Sequence, residues 1–237
     1  VRSAGAIKIQ HALELLETQG INFLYEYLKK LEVSKKKTDQ RISKDPRISE
    51  TVKIVEQLNL KGIEHPKLEK AVTLVKDLLR DKPDARVIIF ANFRSTVDRL
   101  NKMLNGNGIR SDILIGQAIK QGKGLTQQEQ VETLKRFENK EFSVLCGTQV
   151  SEEGISIPDV EFVIFYEPVA SEIRSIQRRG RTGRTSQGKV IFLITKDTRD
   201  EAYYFVSLNK EKKMKRMLYG MKGKELKRKS TLIDWVS

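Results

Sequence analysis

Residues 86–91 read Arg-Val-Ile-Ile-Phe-Ala, a short and continuous apolar run. Such a run predicts a β-strand buried on both faces, because a strand with one solvated face would alternate apolar and polar side chains. Similar stretches predict four further strands, at residues 112–116, 142–147, 161–166 and 189–195. Helices are predicted between them, at residues 96–104, 126–137 and 172–179. This alternation predicts an α/β fold with a parallel, doubly wound sheet and flanking helices, whose working residues lie at the carboxyl ends of the strands.

The helix at 126–137 has the clearest local signals. Thr126 and Glu129 form a capping box, and Val131, Leu134 and Phe137 are expected to face the core. Two more helices flank the strands, one marked by Leu68, Val72, Val75 and Leu79, the other at residues 199–217.

Residues 1–62 have no strand signal and predict a small all-helical segment. The first helix, which Gly20 can end, has a stripe of Ile9, Leu13 and Leu16. The second has an apolar face of Phe23, Leu24, Tyr27, Leu28 and Leu31. Residues 34–45 are polar and basic, and we interpret them as a frayed end or an exposed loop. A third helix opens at Asp45-Pro46 with Ile48, Val52 and Val55 on one side.

The composition indicates a polyanion partner. The chain has 237 residues and a net charge of +14, which favours nucleic acid over a membrane surface or an acidic protein. The alternative is a generically basic protein from a salt-tolerant or thermophilic host. No stretch approaches the roughly 20 apolar residues that span a bilayer, and residues 1–10 lack the apolar run of a signal peptide. We therefore expect a soluble, intracellular protein with no membrane partner.

Disulfide and metal chemistry are disfavoured. Cys146 is the only cysteine, so no internal disulfide can form, and we expect it to be inert packing within a strand. The only histidines, His11 and His65, have no metal-ligand spacing and are expected at the surface or at helix ends.

Two polar stretches carry the functional signal. Residues 177–184 read Gln-Arg-Arg-Gly-Arg-Thr-Gly-Arg, in which glycines allow close backbone approach and guanidinium groups can bind phosphate oxygens in pairs. The alternative is a solvated basic helix face or a generic nucleic-acid patch. Upstream, residues 147–158 leave a strand and enter a hydroxyl-rich turn, where Thr148 can donate to a phosphate and Gly154 lets a sugar or phosphate approach the backbone.

Together these stretches resemble motifs V and VI of superfamily 2 helicases, with residues 86–95 as motif IV. The resemblance covers residues 66–210, the second RecA-like domain of such enzymes. The amino-acid sequences of residues 166–184 and 195–204 are most similar to those of archaeal Hef, a relative of FANCM helicases. It implies that residues 1–62 are the C-terminal part of a helical insertion domain, residues 63–210 a RecA-like parallel sheet with flanking helices, and residues 211–237 a basic tail.

The resemblance also implies site residues for ATP. Arg181 and Arg184 would be arginine fingers that reach the γ-phosphate held by the first RecA-like domain. Gln177 would contact the phosphate or the attacking water. Gly154 and Ser156 would lie near the ribose.

The nucleic-acid site implied by the resemblance consists of Arg94, Ser95, Gly116 and Thr148. These residues would hold the backbone of one strand, a contact that fixes position and carries little sequence information.

The nucleotide-binding loop of a complete ATPase is absent from the sequence, since no G-x-x-x-x-G-K-[ST] occurs. Residues 200–203, Asp-Glu-Ala-Tyr, look like the acidic Mg²⁺ box of these enzymes. They start a predicted helix rather than follow an apolar strand, so we interpret them as a helix-dipole feature. We expect half of an ATPase, inactive alone, whose ATP and Mg²⁺ are held mainly by the first RecA-like domain.

The C-terminal end adds a basic arm. Residues 210–229 hold ten Lys and Arg and two Glu, a net +8 in 20 residues, as expected for a solvated arm or a nonspecific phosphate-binding arm. Residues 230–236 faintly resemble a peptide that binds the sliding clamp PCNA.

The functional expectation is the C-terminal motor half of an ATP-dependent DNA helicase or translocase that acts on forked or branched DNA. Two alternatives stay open: an RNA helicase or RNA sensor with the same core, and a non-catalytic module that binds nucleic acid or a partner. A cytoplasmic, nucleoid-associated location is expected.

Overall fold

The computed structural model describes residues 2–116, 124–148, 158–168 and 188–221. Its helices are α1 (Arg2–Gln19), α2 (Ile21–Glu32), α3 (Lys37–Ser43), α4 (Pro46–Leu60), α5 (Pro66–Asp81), α6 (Arg94–Gly106), α7 (Gln127–Glu138) and α8 (Arg199–Met221). Its strands are β1 (Val87–Ala91), β2 (Ser111–Leu114), β3 (Val144–Thr148), β4 (Phe162–Phe165) and β5 (Lys189–Phe192).

The five strands form one parallel sheet in the order β2-β3-β1-β4-β5. The central strand, β1, has all five residues buried and pairs with β3 on one side and β4 on the other. The prediction of a parallel, doubly wound sheet with flanking helices is therefore confirmed.

The two faces of the sheet are covered by different helices. Val87, Ile89 and Ala91 join a cluster that includes buried residues of α5 and α6. Ile88 and Phe90, which point to the opposite face, join a second cluster with residues of α7. This division explains the unbroken apolar run, because both faces of β1 lie in a core.

The capping box of α7 is confirmed. The Thr126 hydroxyl accepts a hydrogen bond from the Glu129 backbone N–H, and the Glu129 carboxylate accepts one from the Thr126 N–H. Leu134 and Phe137 are buried, but the expectation for Val131 is wrong, since it is 41% exposed. The helix instead buries Gln130, whose Nε2 donates to the Ile115 carbonyl at 2.8 Å.

The helical segment has a core of its own, in which Leu24, Leu28 and Leu31 of α2 pack with Val52 and Val55 of α4. This arrangement confirms the predicted apolar faces of the second and third helices.

The stripe predicted for α1 does not form its buried face. Ile9 and Leu13 are exposed and only Leu16 of the predicted stripe packs against the core of the helical segment, whereas Ala12 and Leu15 are buried. The helix ends where predicted, at Gly20, whose φ of 100° is in the left-handed region that favours glycine. A Cβ there would also lie 3.0 Å from the His65 Cβ.

Residues 34–45 contain a helix, α3, so the expectation of a frayed end or exposed loop is wrong for this part of the chain. The helix is anchored by Asp39, which is only 4% exposed. Its Oδ1 lies 2.7 Å from the Lys8 Nζ of α1, and its Oδ2 accepts a hydrogen bond from the Ser34 hydroxyl at 2.7 Å. An ion pair rather than an apolar stripe orders this segment, so no periodic pattern indicates it.

Several predictions lie outside the described residues, namely the helix at 172–179, most of the stretch 147–158, the whole stretch 177–184, and the tail beyond residue 221 with its clamp-like peptide. The division at residues 62 and 210 stays a prediction. None of the helices in the described ranges combines the length and the apolar character that a bilayer crossing requires.

Candidate functional site

The carboxyl ends of the five parallel strands meet at one edge of the sheet. The chain leaves this edge at Ala91, Leu114, Thr148, Phe165 and Phe192. Backbone groups and side chains just beyond β1, β2, β4 and β5 lie along this edge because all strands run in the same direction.

Arg94 bridges two of these strand ends. It begins α6, three residues after β1, and its Nη2 donates to the Gly116 carbonyl at 2.8 Å, two residues after β2. Because β3 lies between β2 and β1 in the sheet, the Arg94 side chain crosses the end of β3, where Thr148 is the last residue. The structure thus brings Arg94 and Gly116 into contact near the end of β3, with Ser95 exposed beside Arg94, whereas Thr148 is buried at 4% exposure.

The predicted nucleotide residues, Gln177, Arg181, Arg184, Gly154 and Ser156, lie outside the described residues. Their roles stay predictions.

Asp200 belongs to a buried ion pair. It lies in the first turn of α8, is 1% exposed, and its Oδ2 binds the Lys67 ammonium. The same oxygen accepts a hydrogen bond from the Thr195 N–H, and Lys67 also donates to the Tyr166 carbonyl at 3.0 Å. The structure therefore places Asp200 in the first turn of α8. Its ion-pair partner, Lys67, was not identified from the sequence.

Within the described ranges, no group of three or more His, Cys, Asp or Glu side chains could hold a metal ion. The Asp200 carboxylate is already held by Lys67, so residues 200–203 do not fit a Mg²⁺ site.

A second carboxylate, Glu167, lies at the same edge and was also missed. It is 4% exposed, and burial raises its pKa to about 7 although Lys67 and two hydrogen-bond donors oppose the shift. The donors are Gln19 of α1 and the backbone N–H of Asn92. The only sequence signal was its position, directly after a buried strand.

His65 joins the helical segment to α5 and is buried, so the surface alternative is wrong and the helix-end alternative is right. Its Nδ1 accepts a hydrogen bond from the Lys67 N–H, which caps α5, and its Nε2 donates to the Glu17 carbonyl of α1 at 2.9 Å. Burial lowers the pKa of His65, in keeping with a neutral ring whose proton is on Nε2. Cys146 is fully buried in β3, as predicted.

Comparisons with known proteins identify the class. The family model "Helicase conserved C-terminal domain" matches residues 69–186, and a model for the helical bundle of ATP-dependent RNA helicases matches residues 1–76. The crystal structure of the Pyrococcus furiosus Hef helicase domain superposes with a TM-score of 0.68 at 43% identity, over 85% of this chain and 42% of that one.

Two curated relatives have names that differ in the nucleic acid they specify. A Methanocaldococcus jannaschii protein named an ATP-dependent RNA helicase is 50% identical over 91% of this chain and 27% of its own length. The Neurospora crassa mph1 protein, named an ATP-dependent DNA helicase, is 29% identical over 82% of this chain and 18% of its own length. The chain thus spans about a quarter or less of these relatives.

The fold and the edge of the sheet define a RecA-like helicase C-terminal domain preceded by a helical segment. The chain belongs to the superfamily 2 helicases of the Hef/FANCM type.

Proposed function

We propose that this chain is the C-terminal motor half of an ATP-dependent DNA helicase or translocase that acts on forked or branched DNA. The observation that carries the proposal is the Arg94 side chain, held at 2.8 Å from the Gly116 carbonyl across the carboxyl end of β3. A fixed guanidinium group at that edge, next to the exposed Ser95, is suited to the phosphates of a nucleic-acid backbone, whereas the Thr148 side chain is buried.

ATP hydrolysis in this proposal needs two RecA-like domains. Arg181 and Arg184 would reach the γ-phosphate held by the first domain and stabilise the charge of the transition state, with Gln177 at the phosphate or the water. Gly154 and Ser156 would lie beside the ribose. Because no nucleotide-binding loop occurs in residues 1–237, ATP and Mg²⁺ would be held mainly by the first domain, and this chain alone would not hydrolyse ATP.

The domain assignment belongs to the same proposal. Residues 1–62 would be the C-terminal part of the insertion domain, residues 63–210 the second RecA-like domain and residues 211–237 a basic tail. The partners would be the first RecA-like domain and DNA, in the cytoplasm with the nucleoid.

The DNA grip is tested by Arg94→Ala in the complete helicase, with Lys102→Ala as the matched control. Lys102 is exposed on the same helix, about two turns further from the edge, and its loss removes the same charge. Arg94→Ala should weaken binding to a forked DNA by about tenfold. It should also reduce the slope of log K against log[salt] by the amount expected for the loss of one phosphate contact. Equal affinities for the two variants would contradict the grip.

An RNA helicase is the second candidate, because the Methanocaldococcus jannaschii relative is named as one. Contacts to the backbone do not by themselves distinguish the two sugars. The ATPase rate of the complete enzyme decides between them: greater stimulation by forked DNA supports the proposal, and greater stimulation by duplex RNA supports the alternative. A complete enzyme with no ATPase activity would instead indicate a non-catalytic binding module.

A further inference from the structure

Glu167 is a buried carboxylate that ties the helical segment to the short connection between β1 and Arg94. Its Oε1 accepts a hydrogen bond from the Gln19 Nε2 at 2.8 Å, and its Oε2 accepts one from the Asn92 backbone N–H at 2.9 Å. Gln19 is the last residue of α1, and Asn92 directly follows β1. The carboxylate therefore connects the end of α1 with the residues that lead from β1 into Arg94.

Gln19 also contacts the chain on the other side of Arg94. Its Oε1 accepts a hydrogen bond from the Thr96 hydroxyl at 2.8 Å, and Gln19 and Thr96 are both buried. Thr96 lies in the first turn of α6, two residues after Arg94, and Asn92 lies two residues before it. One glutamine thus holds the chain on both sides of Arg94, once directly and once through Glu167.

An aromatic contact supports the same connection. The Phe93 ring, next to Arg94, meets the Phe23 ring of α2 edge-on with centroids 5.7 Å apart. Residues 92, 93 and 96 therefore all contact the helical segment, directly or through one carboxylate.

The polar contact is costly, which argues for a specific role. A buried carboxylate loses its hydration, and an apolar pair of the same size would give the junction at least equal stability. Directional hydrogen bonds fix one geometry, which apolar packing does less strictly.

We propose that Gln19 and Glu167 are positioning residues for nucleic-acid binding: they let the helical segment set the place of the Arg94 guanidinium group at the edge of the sheet. This inference rests on the proposed function, in which Arg94 contacts a phosphate. A shift of α1 relative to the sheet would then change the grip on the strand without any contact between the helical segment and that strand.

A swap of the two side chains tests the pair in the complete helicase. Gln19→Glu alone places two carboxylates against each other. Glu167→Gln alone places an amide opposite an amide, and Gln19 keeps its bond to position 167 only by turning its own amide over, which puts its Nε2 against the Thr96 hydroxyl in place of its Oε1. In the double variant, the amide introduced at position 167 can accept from the Asn92 N–H and donate to the carboxylate introduced at position 19. That carboxylate can still accept from the Thr96 hydroxyl. The main hydrogen bonds of the network are thereby restored, with the direction of the bond between the two swapped side chains reversed.

The measurements are the affinity for a forked DNA with a single-stranded arm and its dependence on salt. Gln19→Glu should weaken binding by about tenfold and reduce the slope of log K against log[salt] by about 0.7, the loss of one phosphate contact on a single strand, and Glu167→Gln should have a smaller effect in the same direction. The double variant should recover both values. At saturating DNA, the ATPase kcat should stay near that of the parent enzyme, because only the grip is affected.

Thr96→Val serves as a milder variant should a single swap fail to fold, since it removes one hydroxyl hydrogen bond at nearly constant volume. It should weaken binding about threefold and lower the melting temperature by only a few degrees.

Arg94→Ala separates the two proposals. If it weakens binding while the folded swap variants bind with the parent's affinity and salt slope, the positioning role is overturned and the proposed function stands. A double variant that binds no better than either single variant also overturns the positioning role. If Arg94→Ala itself binds as the parent does, the proposed grip is wrong, and the positioning role is overturned with it.

Discussion

The Lys67–Asp200 pair makes a quantitative prediction, because it joins α5 to α8 in the core of the chain. The Lys67 side chain is 5% exposed and that of Asp200 is 1% exposed. Lys67→Met keeps most of the length and the apolar stem of the side chain but removes its charge. It leaves the Asp200 carboxylate buried with the Thr195 N–H as its remaining donor at that oxygen.

The expected cost is large. Removal of one partner from a buried ion pair destabilises a protein by about 3–5 kcal/mol, because the remaining charge is left without compensation. A domain of this kind has a total stability of about 5–15 kcal/mol, so Lys67→Met should remove about a fifth of it or more. The loss of the hydrogen bond to the Tyr166 carbonyl adds to this cost.

Urea unfolding of the chain at neutral pH, followed by circular dichroism, measures the free energy of unfolding. Arg80→Met is the matched control, since Arg80 pairs with Asp77 at 3.0 Å with 73% of its side chain exposed, and its loss should cost no more than about 1 kcal/mol. A Lys67→Met/Asp200→Asn double variant should be more stable than Lys67→Met alone, because no charge of the pair remains buried. Equal costs for Lys67→Met and Arg80→Met would refute the reasoning.

Three further predictions concern stability and reactivity. Thr126→Ala removes the capping box of α7 and should lower the free energy of unfolding by about 1 kcal/mol in the same urea assay; an unchanged midpoint would contradict the cap's role. Glu167 has a pKa of about 7 in the folded state against 4.5 for the ordinary carboxyl, so the folded state binds the extra proton. Its contribution to stability is therefore fully present below pH 4.5 and lost as the pH rises through 7. Urea unfolding at each pH should show that, between pH 4.5 and pH 8, the free energy of unfolding of Glu167→Gln rises by about 3 kcal/mol relative to that of the parent. A difference that does not change with pH would exclude this titration. Burial also raises the pKa of the Cys146 thiol, so a thiol reagent should modify it only under unfolding conditions, and rapid labelling of the native chain would contradict its placement in β3.

The fold could be predicted because its signals are local or periodic. The apolar run of β1 reflects burial on both faces, and the capping box of α7 lies within four residues. The errors share one physical cause. Val131 is apolar but exposed, and α3 is polar but anchored by Asp39, so hydrophobic periodicity was misleading in both places.

The candidate site could be predicted in part. The resemblance of the sequence motifs to those of helicases indicated Arg94 and Gly116, which the structure brings into contact. Gln19, Lys67 and Glu167 were missed since their partners are far away in sequence: the Gln19–Glu167 bond joins residues 148 positions apart. Isolated polar residues at element ends leave no pattern that indicates such pairs before the fold is known.

The central claim is that ATP and the nucleic acid contact different arginines of this half of the motor. It is tested most directly by the steady-state ATPase rate of the complete helicase carrying Arg184→Ala, with DNA affinity measured on the same preparation. The proposal predicts that kcat falls by about 10³-fold while the dissociation constant for forked DNA stays within about twofold of the parent value. Unchanged turnover in Arg184→Ala would contradict the assignment of the arginine finger.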